Sequence, residues 1–226
     1  MALVFKNKEY GKIIIDSNKI IGFMGNNYLN YMKKINDNNT YFINKEYEFY
    51  TNSVDSEISI YIKDNNNFNN IKDIILREFG LDNIFLNKRI NALSSGEKHL
   101  LKYLIAFIIN KKIIIIDEPF LDIDYSLKKK ISSLLQRIIY DTNKTIIIGS
   151  VNSDIIYELC DNVLLLDNTY YYGSKIDVFT NKDLLNIYQI DTPEIVKFIN
   201  LIKEKNVLID YSYDIRDLIK DVYKCV

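Results

Sequence analysis

Apolar positions in residues 1–21 fall into three short runs, 3–5, 12–15 and 19–21, each a strand candidate. The third run leads through Gly22 and Gly25 into a helical pattern reaching about Ile35. Residues 40–43 (TYFI) read as a further strand, and Ser53, Asp55 and Glu57 open an acidic helix start. An Asn-rich loop follows at 63–70. Ile71, Ile74, Ile75 and Phe79 then recur at helical spacing, and Gly80 closes that helix. A second short helix is expected near 82–86. Leu93-Ser94-Ser95-Gly96-Glu97 is a small-residue turn ahead of an amphipathic segment.

The clearest strand is Ile113-Ile114-Ile115-Ile116, fully apolar and β-branched, the pattern of a parallel strand covered on both faces. Leu127, Ile131, Leu134, Leu135 and Ile138 predict an amphipathic helix over 125–139 lying on a sheet. Residues 145–149 (TIIIG) read as another buried strand and 155–160 as a helix. Residues 162–166 and 170–172 form a terminal strand pair. From Lys175 onward the pattern is helical, with Thr192-Pro193 as a helix start. Strands interleaved with helices in this way predict an α/β fold.

Composition narrows the function classes. The 226 residues are 48% hydrophobic and 26% charged, enough for a sizeable core and unlike a disordered chain. Lys+Arg 29 against Asp+Glu 30 leaves a formal charge of -1, which argues against nucleic acid as a partner. Cys160 and Cys225 lie far apart without metal-ligand spacing and read as reduced thiols. The first residues lack the cationic and apolar regions of a signal peptide, and no apolar run reaches the ~18 residues that would span a bilayer.

Three stretches carry candidate chemistry. The turn at 93–97 aims backbone N–H groups and the positive end of a helix at whatever docks there, which suits a phosphate. Asp117 and Glu118 end the Ile113–Ile116 run, where α/β folds bind ligands, or else they cap the next helix. The loop from Gly22 to Leu29 follows a strand and opens a helix, the context of a phosphate-binding loop.

The whole stretch LSSGEKHLLKYLIAFIINKKIIIIDEPFLDID, from Leu93 to Asp124, resembles the ATP-binding subunits of ABC transporters. Leu93 to Glu97 is similar to their LSGGQ signature, and Ile113 to Asp117 to Walker B. Glu118 is similar to their catalytic glutamate, and Phe120 to Asp124 to their D-loop, with Asp124 as its aspartate. The interval from Leu93 to Asp117 needs no gap against the family pattern. In the family's GxxGxGK[ST] loop, Gly22 and Gly25 are kept and Asn26 fills a variable position. Asn27 stands at the third glycine, Tyr28 at the lysine and Leu29 at the Ser/Thr. Residues 40–60 resemble one branch in particular, the energy-coupling factor (ECF) importers. There Ile43 falls on the Q-loop glutamine, Glu48 on a second glutamine, and Val151 later replaces the switch histidine. His99, the one histidine, reads as a surface or packing residue. Residues 193–197 and 215–219 resemble the C-terminal extension of ECF ATPases.

This resemblance implies a P-loop NTPase-like, mainly parallel sheet with a trimmed N-terminal antiparallel part. A helical signature subdomain and a helical C-terminal extension would complete it. The expected boundaries are 1–174 for the ATP-binding domain, with its helical subdomain at about 62–111, and 175–226 for the extension. The implied ligands are ATP and Mg²⁺. Gly22, Gly25, Asn26, Asn27, Tyr28 and Leu29 would line the phosphate loop, Asp117 would serve the metal, and Glu118 would polarise water. Ser94, Ser95, Gly96, Glu97 and Asp124 would face a partner's nucleotide, although Ser95 and Glu97 depart from the signature and Glu97 would add charge near a triphosphate. Tyr10 or Phe5 could stack on adenine, or simply pack. The implied partners are a companion ABC ATPase, in a heterodimer rather than a homodimer, and a transmembrane coupling subunit. They would hold the chain in the cytoplasm, peripheral to the inner face of the cell membrane. The losses cluster on the chain's own nucleotide face, which points to a degenerate partner. The alternatives are a divergent but active ABC ATPase and a non-transport ABC protein.

Overall fold

The first two apolar runs pair as an antiparallel hairpin, β1 (Ala2–Asn7) with β2 (Gly11–Asp16), in a computed structural model that describes residues 2–62, 81–121, 123–205, 209–211 and 220. The helix expected at 71–79, Asp122, the late segment 215–219 and Cys225 lie outside the described residues. A mainly parallel sheet runs in the order β4-β5-β6-β3-β7-β8, with β3 (Ile20–Met24), β4 (Thr40–Ile43), β5 (Ile113–Asp117), β6 (Thr145–Gly149), β7 (Asn162–Leu166) and β8 (Tyr170–Ser174). The chain divides into two units, residues 1–35, 117–119 and 147–226 in the first, and 36–116 and 120–146 in the second.

In the first unit, β3 lies parallel to β7 with Ile21 opposite Asn162, and β8 returns antiparallel to β7. All five β3 residues are buried, as their apolar run requires. A polar knot at the end of β2 helps tie the hairpin down. Tyr172 Oη donates to Asp16 Oδ2 (3.0 Å), while Asp16 N and Asn162 Nδ2 donate to Tyr172 Oη. Helix α1 (Tyr28–Ile35) follows β3. Helix α6 (Ser153–Leu159) starts two residues earlier than its apolar pattern suggests, because the Asn152 side chain accepts from the N–H groups of Asp154 and Ile155. The C-terminal stretch forms α7 (Lys175–Thr180), α8 (Lys182–Ile187) and α9 (Glu194–Glu204). Pro193 does precede a helix, and the Glu194 N–H donates to Asp154 Oδ1.

In the second unit, β4 runs parallel to β5, Thr40 opposite Ile113. Ile114, Ile115 and Ile116 are fully buried, the burial their composition predicts. Helix α2 (Val54–Tyr61) is capped by Ser53. Its Glu57, which reads in sequence as part of an acidic first turn, is completely buried. Its Oε2 accepts from Tyr50 N (3.0 Å), Thr51 N (2.8 Å) and Thr51 Oγ1 (2.9 Å), so it shapes the loop before the helix. A short helix α3 (Asn83–Leu86) and a 3₁₀ turn at Ile90–Ala92 lead to α4 (Ser95–Ile108). Helix α5 (Tyr125–Thr142) runs past its last apolar position and stops where Asn143 turns left-handed. Lys144 then donates to Ala106 O (2.8 Å) and Phe107 O (2.6 Å), two of the last carbonyls of α4.

Two outcomes follow from these buried charges. Glu57→Ala strands two loop N–H groups and should cost on the order of 2–3 kcal/mol in a urea titration. Burial lowers the Lys144 ammonium from its ordinary 10.5 to about 8. Between those values the unfolded chain keeps a proton the folded chain has released, so stability rises with pH across that window. The stability of the wild type relative to Lys144→Met should therefore grow between about pH 8 and 10. A difference that stays flat there contradicts the assignment.

Candidate functional site

The site in the first unit begins where β3 ends. Gly25 has φ +98, and a Cβ there would lie 2.3 Å from Leu166 O, so only glycine makes this turn. The next donors are already spent. Asn27 N donates to Leu166 O (3.2 Å), its Nδ2 donates to Asp167 O (3.2 Å), and Tyr28 N reaches Gly25 O (3.4 Å). Asn26 is exposed and Leu29 half-buried. A loop whose N–H groups already face protein carbonyls offers less to a phosphate than one that leaves them free.

Tyr28 is the first residue of α1 and only 8% exposed. Its hydroxyl shares a proton between Asp117 Oδ1 (3.3 Å) and Glu118 Oε1 (3.4 Å). Its ring lies over Gly149, where a Cβ would come within 2.5 Å of Tyr28 Cε2 and 2.3 Å of Met32 Sδ. Burial first, then the two neighbouring carboxylates, push the phenol pKa well above its ordinary value, so it remains a proton donor.

Glu118 is held from four directions. Its backbone is left-handed (φ 49), an uncommon conformation for a residue with a side chain, and its N–H donates to Gly149 O (2.9 Å). Its Oε2 accepts from Ser150 Oγ (2.8 Å), and its Oε1 accepts from Val151 N (2.9 Å) as well as from Tyr28. Ser150 Oγ in turn accepts from Asn152 N (3.0 Å). The donors from Tyr28, Ser150 and Val151 compete with any water that the Glu118 carboxylate would otherwise orient. Val151 itself points outward, 79% exposed. Ser150 and Gly149 are site residues that sequence reasoning missed. Their only signal was their place at the end of a buried strand.

These residues do not fit Mg²⁺. That ion takes an octahedron of oxygens at about 2.0–2.1 Å. Here the two carboxylates converge on a phenol proton, and Leu29 offers no hydroxyl. Among the described residues no group of three or more His, Cys, Asp or Glu could hold a metal. Tyr10 donates to Asp167 O (2.5 Å) and packs edge-on against Tyr31 and Tyr170, while Phe5 is half-buried in β1.

The second unit holds the other set. Ser94 is the N-cap of α4 in a full capping box. Its Oγ accepts from Glu97 N (3.2 Å), and Glu97 Oε2 accepts from Ser94 N (3.0 Å). Lys88 Nζ reaches Glu97 Oε1 at 2.5 Å and, with the Ser94 N–H, holds the Glu97 carboxyl below the usual range. The charge expected to face a triphosphate is thus already paired, and nothing in the sequence pointed to Lys88. Ser94 and Ser95 are exposed, and Gly96 lets Leu127 approach, since a Cβ there would meet Leu127 Cδ2 at 2.8 Å. Asp124, also exposed, caps α5 by accepting from Leu127 N (2.9 Å). Leu127 therefore brings the two helix starts together. Ile43 is buried, Glu48 exposed and His99 half-buried.

Gly149→Ala should force the Tyr28 ring and Met32 apart and cost about 1–3 kcal/mol. The measurement is a urea titration with far-UV circular dichroism as a check on the fold, and a neutral result means the ring is not seated on Gly149.

Comparison with known proteins places the fold. No protein-family model matches the chain. It is 29% identical over 156 residues to an energy-coupling factor transporter ATP-binding protein of Mycoplasmoides gallisepticum, covering 67% of this chain and 48% of that one. A protein of the same description from Staphylococcus epidermidis is 26% identical over 166 residues, covering 71% and 58%. The matched stretch thus spans about half the length of these curated relatives. Among solved structures, cbiO1 of Clostridium perfringens, described as part of the ABC transporter complex cbiONQ, superposes with TM-score 0.64 at 17% identity, covering 89% of this chain and 96% of that one. The ATP-binding subunit of an ABC transporter superposes with TM-score 0.65 at 16% identity, covering 78% and 88%. In fold, in motif order and in sequence the chain is similar to the ATP-binding domains of ABC transporters, those of the energy-coupling factor type among them.

Proposed function

We propose that the chain is an ATP-binding subunit of an ECF-type ABC importer, degenerate at its own nucleotide face. It lends its signature to a competent companion ATPase. Ser94, Ser95, Gly96, Glu97 and Asp124 complete the companion's site, where ATP and Mg²⁺ are bound. Gly22, Gly25, Asn26, Asn27, Tyr28 and Leu29 form a vestigial phosphate loop, with Asp117 and Glu118 beside it. Residues 1–174 are the ATP-binding domain, with the helical subdomain at about 62–111, and residues 175–226 are an extension that lies against the companion. A transmembrane coupling subunit holds the assembly at the inner face of the cell membrane; no helix among this chain's described residues is long and apolar enough to cross one.

The observation that supports this reading is the contrast between the two faces. Tyr28 stands where the family has its lysine and spends its hydroxyl on Asp117 and Glu118, while Ser94 caps α4 with a complete capping box and leaves its helix start exposed. Phosphoryl transfer depends on positioning and electrostatic stabilisation. A site without the lysine, the hydroxyl, the glutamine and the histidine lacks most of that stabilisation. The second reading, a divergent but active ATPase, draws support from Glu118, which is kept and held by Ser150 and the Val151 N–H.

The two readings separate in the copurified complex. Under the first, Ser94→Arg lowers ATP turnover by about 100-fold or more, the scale of losing one stabilising contact, and Glu118→Gln leaves it within about twofold. If Glu118→Gln alone stops turnover, the chain works at its own site and the second reading holds.

A further inference from the structure

We infer that Tyr28 is an intramolecular plug: its phenol occupies the space between the Asp117 and Glu118 carboxylates that a nucleotide-bound divalent cation would need. This rests on the degenerate-partner reading and deepens it, because the chain does more than lack the lysine. A missing lysine would leave two adjacent carboxylates facing water or a metal. Here a side chain from α1 fills the place.

Three observations carry the assignment. The Tyr28 hydroxyl lies within hydrogen-bond reach of both carboxylates, at 3.3 Å and 3.4 Å, so one proton answers both. A metal ion satisfies such a pair by accepting their lone pairs, and so does this proton; the two occupants compete for the same oxygens. The ring is also seated. Gly149 leaves the room it needs, and Met32, one turn further along α1, fills the rest of that surface. At 8% exposure the ring has little solvent to swing into. Finally, Glu118 also accepts from Ser150 Oγ on its second oxygen and from the Val151 N–H on its first, so with Tyr28 three donors meet its carboxylate without an ion.

The consequence is a site that is closed toward divalent cations while α1 is folded. Nucleotide can reach this face only without its metal, or after the Tyr28 ring has left Gly149. Ser94 to Glu97 and Asp124, which the donor reading assigns to the companion's site, lie in the other unit, apart from Tyr28.

The test is Mn²⁺ binding to the full 226-residue chain, followed by electron paramagnetic resonance of the free ion, with and without ATP. The wild type should take up no Mn²⁺ at this face in either condition. Tyr28→Phe removes the shared proton and keeps the ring, and Tyr28→Ala removes both. Affinity for Mn²⁺ with ATP should rise in that order, by about tenfold or more for the alanine variant. Circular dichroism checks that both variants fold, and the phenylalanine variant carries the comparison if the alanine variant does not. A wild-type chain that binds Mn²⁺ as tightly as either variant overturns the plug, as does a variant that folds and gains nothing. Loss of turnover in the Ser94→Arg complex is independent of this result. The plug can therefore fail while the donor role stands, and the donor role can fail while the plug stands.

Discussion

Two carboxylates at the end of a buried strand must be given donors, water or a cation, because an uncompensated buried charge is expensive. At the end of β5 the chain meets that demand internally. Tyr28, Ser150 and the Val151 N–H supply the donors, and the left-handed turn at Glu118 aims its side chain at them. Much of the first unit is arranged around this seat. The chain must turn at Gly25, just past β3, so that the loop can pass Leu166, α1 must present Tyr28 and Met32 together, and β6 must end in glycine to admit the ring. Changing any one of these disturbs the others, since interiors pack closely and transmit strain.

The second unit follows a different logic. Its candidate residues are helix starts, and each is satisfied locally: Ser94 with Glu97 at α4, and Asp124 with Leu127 N at α5. Local satisfaction leaves Ser94, Ser95 and Asp124 exposed with their backbone geometry already set, so a ligand or partner would meet a preformed surface. The pairing of Glu97 with Lys88 also offsets the negative charge at the start of α4. The same residues that end and begin helices are therefore available for a second role. In the first unit the equivalent groups are consumed by the fold itself.

Most of the architecture was legible along the chain, for reasons of short range. A run of four isoleucines can be satisfied only by cover on both faces, and Ile113 to Ile116 are buried as that predicts. Ser53, Ser94 and Asp124 mark helix starts because a cap needs only its own side chain and a backbone N–H two or three residues on. The strand pair of β7 and β8 and the helix after Pro193 are legible on the same grounds, as is the order of motifs from Leu93 to Asp124.

What the sequence could not state is which distant groups meet. Tyr28 is 89 residues from Asp117, and reading it as a lost lysine says nothing of where its hydroxyl goes. Glu57 reads as a surface acid on an acidic helix start, yet the loop it serves buries it completely. Gly149 looks like the end of a strand, and its lack of a side chain gains meaning only once the Tyr28 ring lies on it. Elements and caps depend on periodicity and on contacts a few residues apart, which the chain carries in its order. The pairing of Tyr28 with two carboxylates depends on which strands the sheet sets side by side, and only the tertiary structure decides that.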